Sequence, residues 1–202
     1  MATVTAYDQP ALNELYNLLF ADDPAAFADL IGEQDPATLA ADDEAESRLR
    51  VAAFRLLKAA GAPPPIQPPL LGVIVEVALE AGLDTLAAYA DDRLRYINHG
   101  GGVSIVEAGS PLAAQVEAVM LAAAPVVAAI GPWQGDRQPP PPTGQARLTF
   151  LVGAELYFGQ GPAAALAGDA LAGPVLRTAT TLLAVLANLA PAGQAAAPTG
   201  GR

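Results

Sequence analysis

The run LLGVIVEVALEAGLDTLAAYADDRLRYINHGGGVSIVE, Leu70 to Glu107, narrows the possible fold more than any other part of the chain. Leu70 to Leu79 is an almost unbroken apolar stretch rich in β-branched residues, the composition of a central strand. Thr85 to Ala90, Arg93 to Asn98 and Val103 to Glu107 read as further strands, separated by turn residues at Glu80 to Asp84, Asp91–Asp92 and His99 to Gly102. Connections this short cannot hold a crossover helix, so the four strands are predicted to form an antiparallel meander.

Before the meander the pattern is helical. Asp8 lies two residues ahead of Pro10, and Asp23–Pro24 and Asp35–Pro36 repeat the device. Each places a carboxylate where helix-opening amides lack partners and a proline where its missing donor costs nothing. Leu12, Leu15, Tyr16 and Leu19 share a helix face, as do Phe27, Leu30 and Ile31 before Gly32. A longer helix is predicted from Pro36 or Asp43 to Ala60, with Glu44–Arg48 and Glu46–Arg50 as i,i+4 pairs, ended by Gly61 and prolines 63–65. Arg48, Arg50, Arg55 and Lys58 then read as a solvated basic helix face.

After the meander, Ser110–Pro111 opens a helix striped by Leu112, Val116, Val119, Met120, Ala123, Val127 and Ile130, with a kink expected at Pro125. Residues 131–145 form a Pro-rich loop, predicted to be extended, with Trp133 pinning one end. RLTFLVG and AELYFG supply a fifth and a sixth strand. Gly161 to Ala190 is predicted to divide at Gly173–Pro174, with Leu182, Leu183, Leu186 and Leu189 facing inward from a closing helix over Val175 to Leu189. The fold class that follows is α+β, and the part after residue 68 has the element order of roadblock/longin and profilin-like layouts. One compact domain is expected, with a helical layer over 1–66, an α+β core over 67–190 and a disordered tail over 191–202.

The chain also resembles a family of uncharacterised bacterial proteins, on the motif LYNLLFADDP (Leu15 to Pro24), the Leu70 to Glu107 run and the Arg-rich helix between them. The resemblance covers residues 10 to 135, implies a stand-alone bacterial protein and brings no catalytic residue, cofactor or partner with it. HGGG departs from the single glycine expected there, as does the enrichment in Ala and Pro.

Composition limits the function classes. With a net charge of −11, one lysine and nine arginines, the chain lacks the clustered cations that bind phosphate backbones or anionic lipid. It has no cysteine and one histidine, so no thiolate site can form and no cofactor is expected. The longest charge-free apolar run, Ala118 to Trp133, contains Pro125 and falls short of the roughly 20 residues of a spanning helix. No basic n-region precedes an apolar core at the N-terminus, which makes cytoplasm the expected location.

Two stretches carry candidate site residues. Asn98, His99, Gly100, Gly101 and Gly102 read either as a hairpin corner whose glycines supply positive φ or as a backbone nest that turns amides toward an anion. Glu76 shares a strand face with Ile74 and Ala78, where a carboxylate needs a partner such as Arg93 or Arg95. His99, Glu76 and Asp84 are thus the candidate acid/base groups; Asp84, Asp91 and Asp92 carry oxygens that a metal could use, but aspartates in turns ordinarily bond their own backbone, and no metal site is expected. Ser47, Ser104 and Ser110 lie in no nucleophile motif. With much apolar surface, few charges and no coherent catalytic set, the first expectation is a non-enzymatic protein that self-associates or contacts another protein. The alternative is a small-ligand or phosphate-ligand binder, or a hydrolase, with its site at the His99 loop.

Overall fold

The computed structural model describes residues 4–189. Its N-terminal part is helical: α1 (Pro10–Leu19), a 3-10 turn (Pro24–Phe27), α2 (Ala28–Ile31), α3 (Pro36–Ala41) and α4 (Ser47–Ala59). The meander follows as β1 (Leu70–Leu79), β2 (Gly82–Tyr89), β3 (Leu94–Ile97) and β4 (Val103–Val106). After it come α5 (Ala113–Ala129), β5 (Gln145–Val152), β6 (Glu155–Pro162), α6 (Ala163–Gly168) and α7 (Ala172–Leu189). All strand pairs are antiparallel and form one six-stranded sheet in the order β4-β3-β2-β1-β5-β6. The α+β class and the succession of helices, meander, helix, two strands and closing helices are as the sequence predicts.

Period-two alternation sends side chains to two separate cores. On one face Leu71, Ile74, Leu83, Ala87, Tyr89, Ile97 and Leu151 meet Tyr16, Leu19, Phe20, Val51 and Ala52 of the N-terminal helices. On the other, Val73, Val75, Leu86, Leu94, Leu148 and Phe150 meet Val116, Val119, Ala123, Val175 and Leu182 of α5 and α7. A register shift in the β1–β5 ladder between Leu70 and Gly72 turns Gly72 toward the same side as Leu71. A Cβ at Gly72 would stand 2.9 Å from Tyr89 Cδ1 and 3.0 Å from Leu151 Cδ1. Gly72→Ala is therefore expected to cost about 1–3 kcal/mol through overpacking, read as a lower urea midpoint at unchanged slope.

Several expectations need correction. Of the two starts predicted for the helix ending at 60, Pro36 opens a separate helix and Asp43 lies four residues ahead of α4, because the chain turns at Asp42–Glu46, where the Asp42 carboxylate accepts the Glu44 amide at 3.0 Å. The expected i,i+4 ion pairs do not form. Arg50 instead pairs with Asp43 at 2.7 Å, and Arg48 bonds Glu46 through Nε at 2.6 Å. Nor is this basic segment a solvated face: Arg50 is buried, and Arg48 lies over the Phe27 and Tyr89 rings at 5.9 and 5.8 Å.

The capping carboxylates of Asp23 and Asp35 accept the Ala25 and Thr38 amides. At α1 the cap position is Gln9, without a side-chain bond, and the Asn13 carboxamide instead holds the Ala6 and Tyr7 amides. β2 begins at Gly82, whose φ of +132° closes a two-residue turn after Leu79. The break before α7 lies at Asp169–Leu171, where the Asp169 carboxylate accepts the Leu171 and Ala172 amides, so Gly173–Pro174 falls in the first turn of the helix. Leu189 is half-exposed rather than inward. The expectation of a disordered tail over 191–202 lies outside the described residues.

Candidate functional site

The β3–β4 corner brings its candidate residues together, and they largely satisfy one another. Asp84 Oδ1 accepts the His99 backbone amide at 2.7 Å and lies 2.9 Å from His99 Nδ1. The Asn98 side-chain carbonyl accepts the Gly102 amide at 2.8 Å, while its backbone carbonyl accepts the Gly101 amide at 2.9 Å. These donors point into the turn. Gly101 has φ +85°, and a Cβ there would meet the Gln9 and Leu12 side chains of the α1 end, so the glycine serves both the turn and its packing. Burial first, then the Asp84 carboxylate, pushes the Tyr96 phenol up to about 12.

Glu76 lies on the opposite side of the sheet from Asp84, among the helix-facing residues, and does not meet His99. It is fully buried, and Tyr16 donates its hydroxyl to Glu76 Oε1 at 2.7 Å. Its charge partner is Arg147 on the neighbouring β5, with Nη1 at 3.7 Å from Oε2. Arg93 and Arg95, the partners expected from sequence, turn to Glu107, and Arg95 also donates to the Leu94 and Val106 carbonyls. Asp91 is taken up by the Ser47 amide and Arg93, and among the described residues no three acidic or histidine side chains converge as a metal site.

Arg147 also donates to Gln160 Oε1 and to the carbonyls of Gln138 and Pro139. The Pro-rich strap, residues 131–145, is thereby drawn over this side of the molecule. Arg137 on the strap enters the helical layer, donates to Asp22 Oδ2 at 2.7 Å and to Asn17 Oδ1, and stacks over Phe20 at 4.2 Å. Sequence reasoning missed Arg137, Asp22, Tyr16 and Arg147. The signal for Arg147 was its alternation with inward-facing Thr149 and Leu151 in β5; a loop arginine such as Arg137 carries none.

Burial pushes the Glu76 carboxyl above the ordinary carboxylate range, against smaller opposing effects of Arg147 and Tyr16. A folded-state pKa that is raised gives a contribution to stability that is complete below the ordinary carboxyl range and is lost as pH rises through the folded value. Glu76→Gln is thus expected to track the wild type in acid and gain on it toward neutral pH. Parallel urea midpoints for the two proteins between about pH 4 and about pH 8 would contradict this.

The two sheet edges differ. At β6, Trp133 donates its amide to the Leu156 carbonyl at 2.7 Å, its ring packs on Phe158 at 4.9 Å, and Pro162 ends the strand without a donor. β4 is open. Asn98 donates to the Gly102 carbonyl and Tyr96 faces Ser104, so ladder alternation turns the backbone groups of Val103 and Ile105 outward. Their side chains are 42% and 58% exposed. Beside them, Ile105, Leu112, Leu186 and Leu189 line an apolar groove of about 310 Å³.

Among the described helices, α7 alone has the length and hydropathy to cross a membrane, and its Val175, Ala179 and Leu182 are buried in the second core. In comparison with known proteins, no family model and no curated protein matches this sequence.

Proposed function

We propose that the protein works through protein–protein contact, pairing its β4 edge with β4 of a second copy. The observation that carries this reading is the open β4 edge. Val103–Val106, a short strand of four residues, contains no charge, proline or bulge, three of the devices by which natural edge strands prevent pairing. In an antiparallel arrangement centred on Ser104, Val103 of each copy lies opposite Ile105 of the other, and each such pair exchanges both backbone bonds. The exposed Val103 and Ile105 side chains then stack across the join, and the Leu186–Leu189 groove lies alongside it. Glu107, the nearest acid, is already paired with Arg93 and Arg95, so the strand ends bring little repulsion. Such a protein fits a structural or adaptor role in the bacterial cytoplasm better than catalysis.

The test is native mass by light scattering over a concentration series. Wild-type protein is expected at twice the chain mass, and Ile105→Lys at the chain mass with an unchanged circular dichroism spectrum. A wild type that stays monomeric throughout, or an Ile105→Lys variant that still dimerises, would overturn the reading. At the His99 loop the structure favours a closed turn, since the amides of His99, Gly101 and Gly102 are already bonded.

A further inference from the structure

The buried charges beneath the strap do not balance. Arg137 is matched by Asp22 at 2.7 Å and Arg147 by Glu76 at 3.7 Å, while Glu155 is held by Lys58 at 2.6 Å. Arg55, on α4, has no carboxylate within ion-pair distance among the described residues, although it lies in the field of Asp22, Glu155 and Arg137. Burial lowers its pKa, with those two carboxylates opposing, yet a guanidinium remains a cation at neutral pH. Its Nε and Nη2 are shut off from solvent without a hydrogen-bond partner, and so is Nη1 of Arg137. A largely buried cation with no direct ion-pair partner and two donors without a hydrogen-bond partner is a costly arrangement for a folded chain to keep.

Nε and Nη2 make up one edge of the guanidinium, the fork that accepts a carboxylate through two parallel bonds. We propose that Arg55, with Arg137 Nη1 as a third donor, binds a small carboxylate, formate- or acetate-sized, beneath the strap. The size follows from the burial of the donors, and the single negative charge from the one unmatched cation. Glu76 Oε2, also without a hydrogen-bond partner, and Asp22 lie in the same network, and their charge disfavours a multivalent anion such as phosphate. Arg55 as a residue is only partly buried, whereas the Nε–Nη2 edge is inaccessible to solvent.

The test is thermal unfolding of the full chain titrated with sodium formate and sodium acetate, against sodium chloride at equal ionic strength. One of the carboxylates is expected to raise Tm saturably, by about 5–10 °C at a hundredfold excess over Kd. Arg55→Met, which removes the buried cation, should fold and lose the rise. Arg55→Lys keeps the charge without the fork and should lose most of it. The Arg55 Nε–H resonance should shift with the same midpoint in the wild type. No rise, an equal rise with chloride, or a rise retained in Arg55→Met would each overturn the assignment.

Discussion

Replacing Arg147 with methionine is expected to lower the unfolding free energy by about 3–5 kcal/mol, the usual consequence of leaving one member of a buried ion pair without the other. Glu76 would then sit at the centre of the sheet with the Tyr16 hydroxyl as its remaining direct partner. Protonation of the carboxyl is the cheapest escape, so the loss should shrink as pH falls. Urea unfolding at neutral and mildly acidic pH measures this directly. The double variant Glu76→Leu/Arg147→Met removes both charges and should recover much of the loss. It should not recover all of it, because the strap carbonyls of Gln138 and Pro139 and the Gln160 side chain also lose their donor. A double variant no more stable than Arg147→Met would show that the arginine acts through the strap and not through Glu76.

Arg137→Met is expected to cost about 3 kcal/mol for the parallel reason that Asp22 loses its ion-pair partner. Its second effect is local. Arg137 holds the strap to α1 through Asn17 and to the following segment through Asp22 and the Phe20 ring. Without it, chymotryptic cleavage after Trp133 should accelerate more than the loss of global stability accounts for, because local opening exposes the segment ahead of unfolding. Cleavage that rises only in step with global unfolding would assign the hold to Trp133 on Phe158 instead.

The sheet was readable because its signal is local. An apolar, β-branched run and tight turns fix the meander, and two of the three Asp–Pro signals do cap helices. Glu76 was also readable as a carboxylate in need of a partner, on the correct face of β1. The partner was not, since Arg95 and Arg147 both alternate toward the helical layer and only the order of strands decides which is adjacent. Strand order depends on β5 returning to the far side of β1 after a helix and a long strap, which no short window of sequence encodes. The α3–α4 break was hidden for a different reason. Asp42 to Glu46 has the composition of an acidic helix start and of a turn alike, and packing chose the turn. Arg137 and Asp22 meet across 115 positions, beyond the range of any periodicity argument.

The obstruction of the β6 edge by Trp133 and Pro162 sets a limit on growth. A sheet with two adhesive borders can extend without end, each addition leaving a fresh border for the next molecule. Here Trp133 and Pro162 obstruct one border at two points, and among the described residues no segment pairs with the outer side of Val103 to Val106. If two molecules join at β4 by a twofold axis, each offers a third only its obstructed β6 border, which disfavours propagation into a fibre.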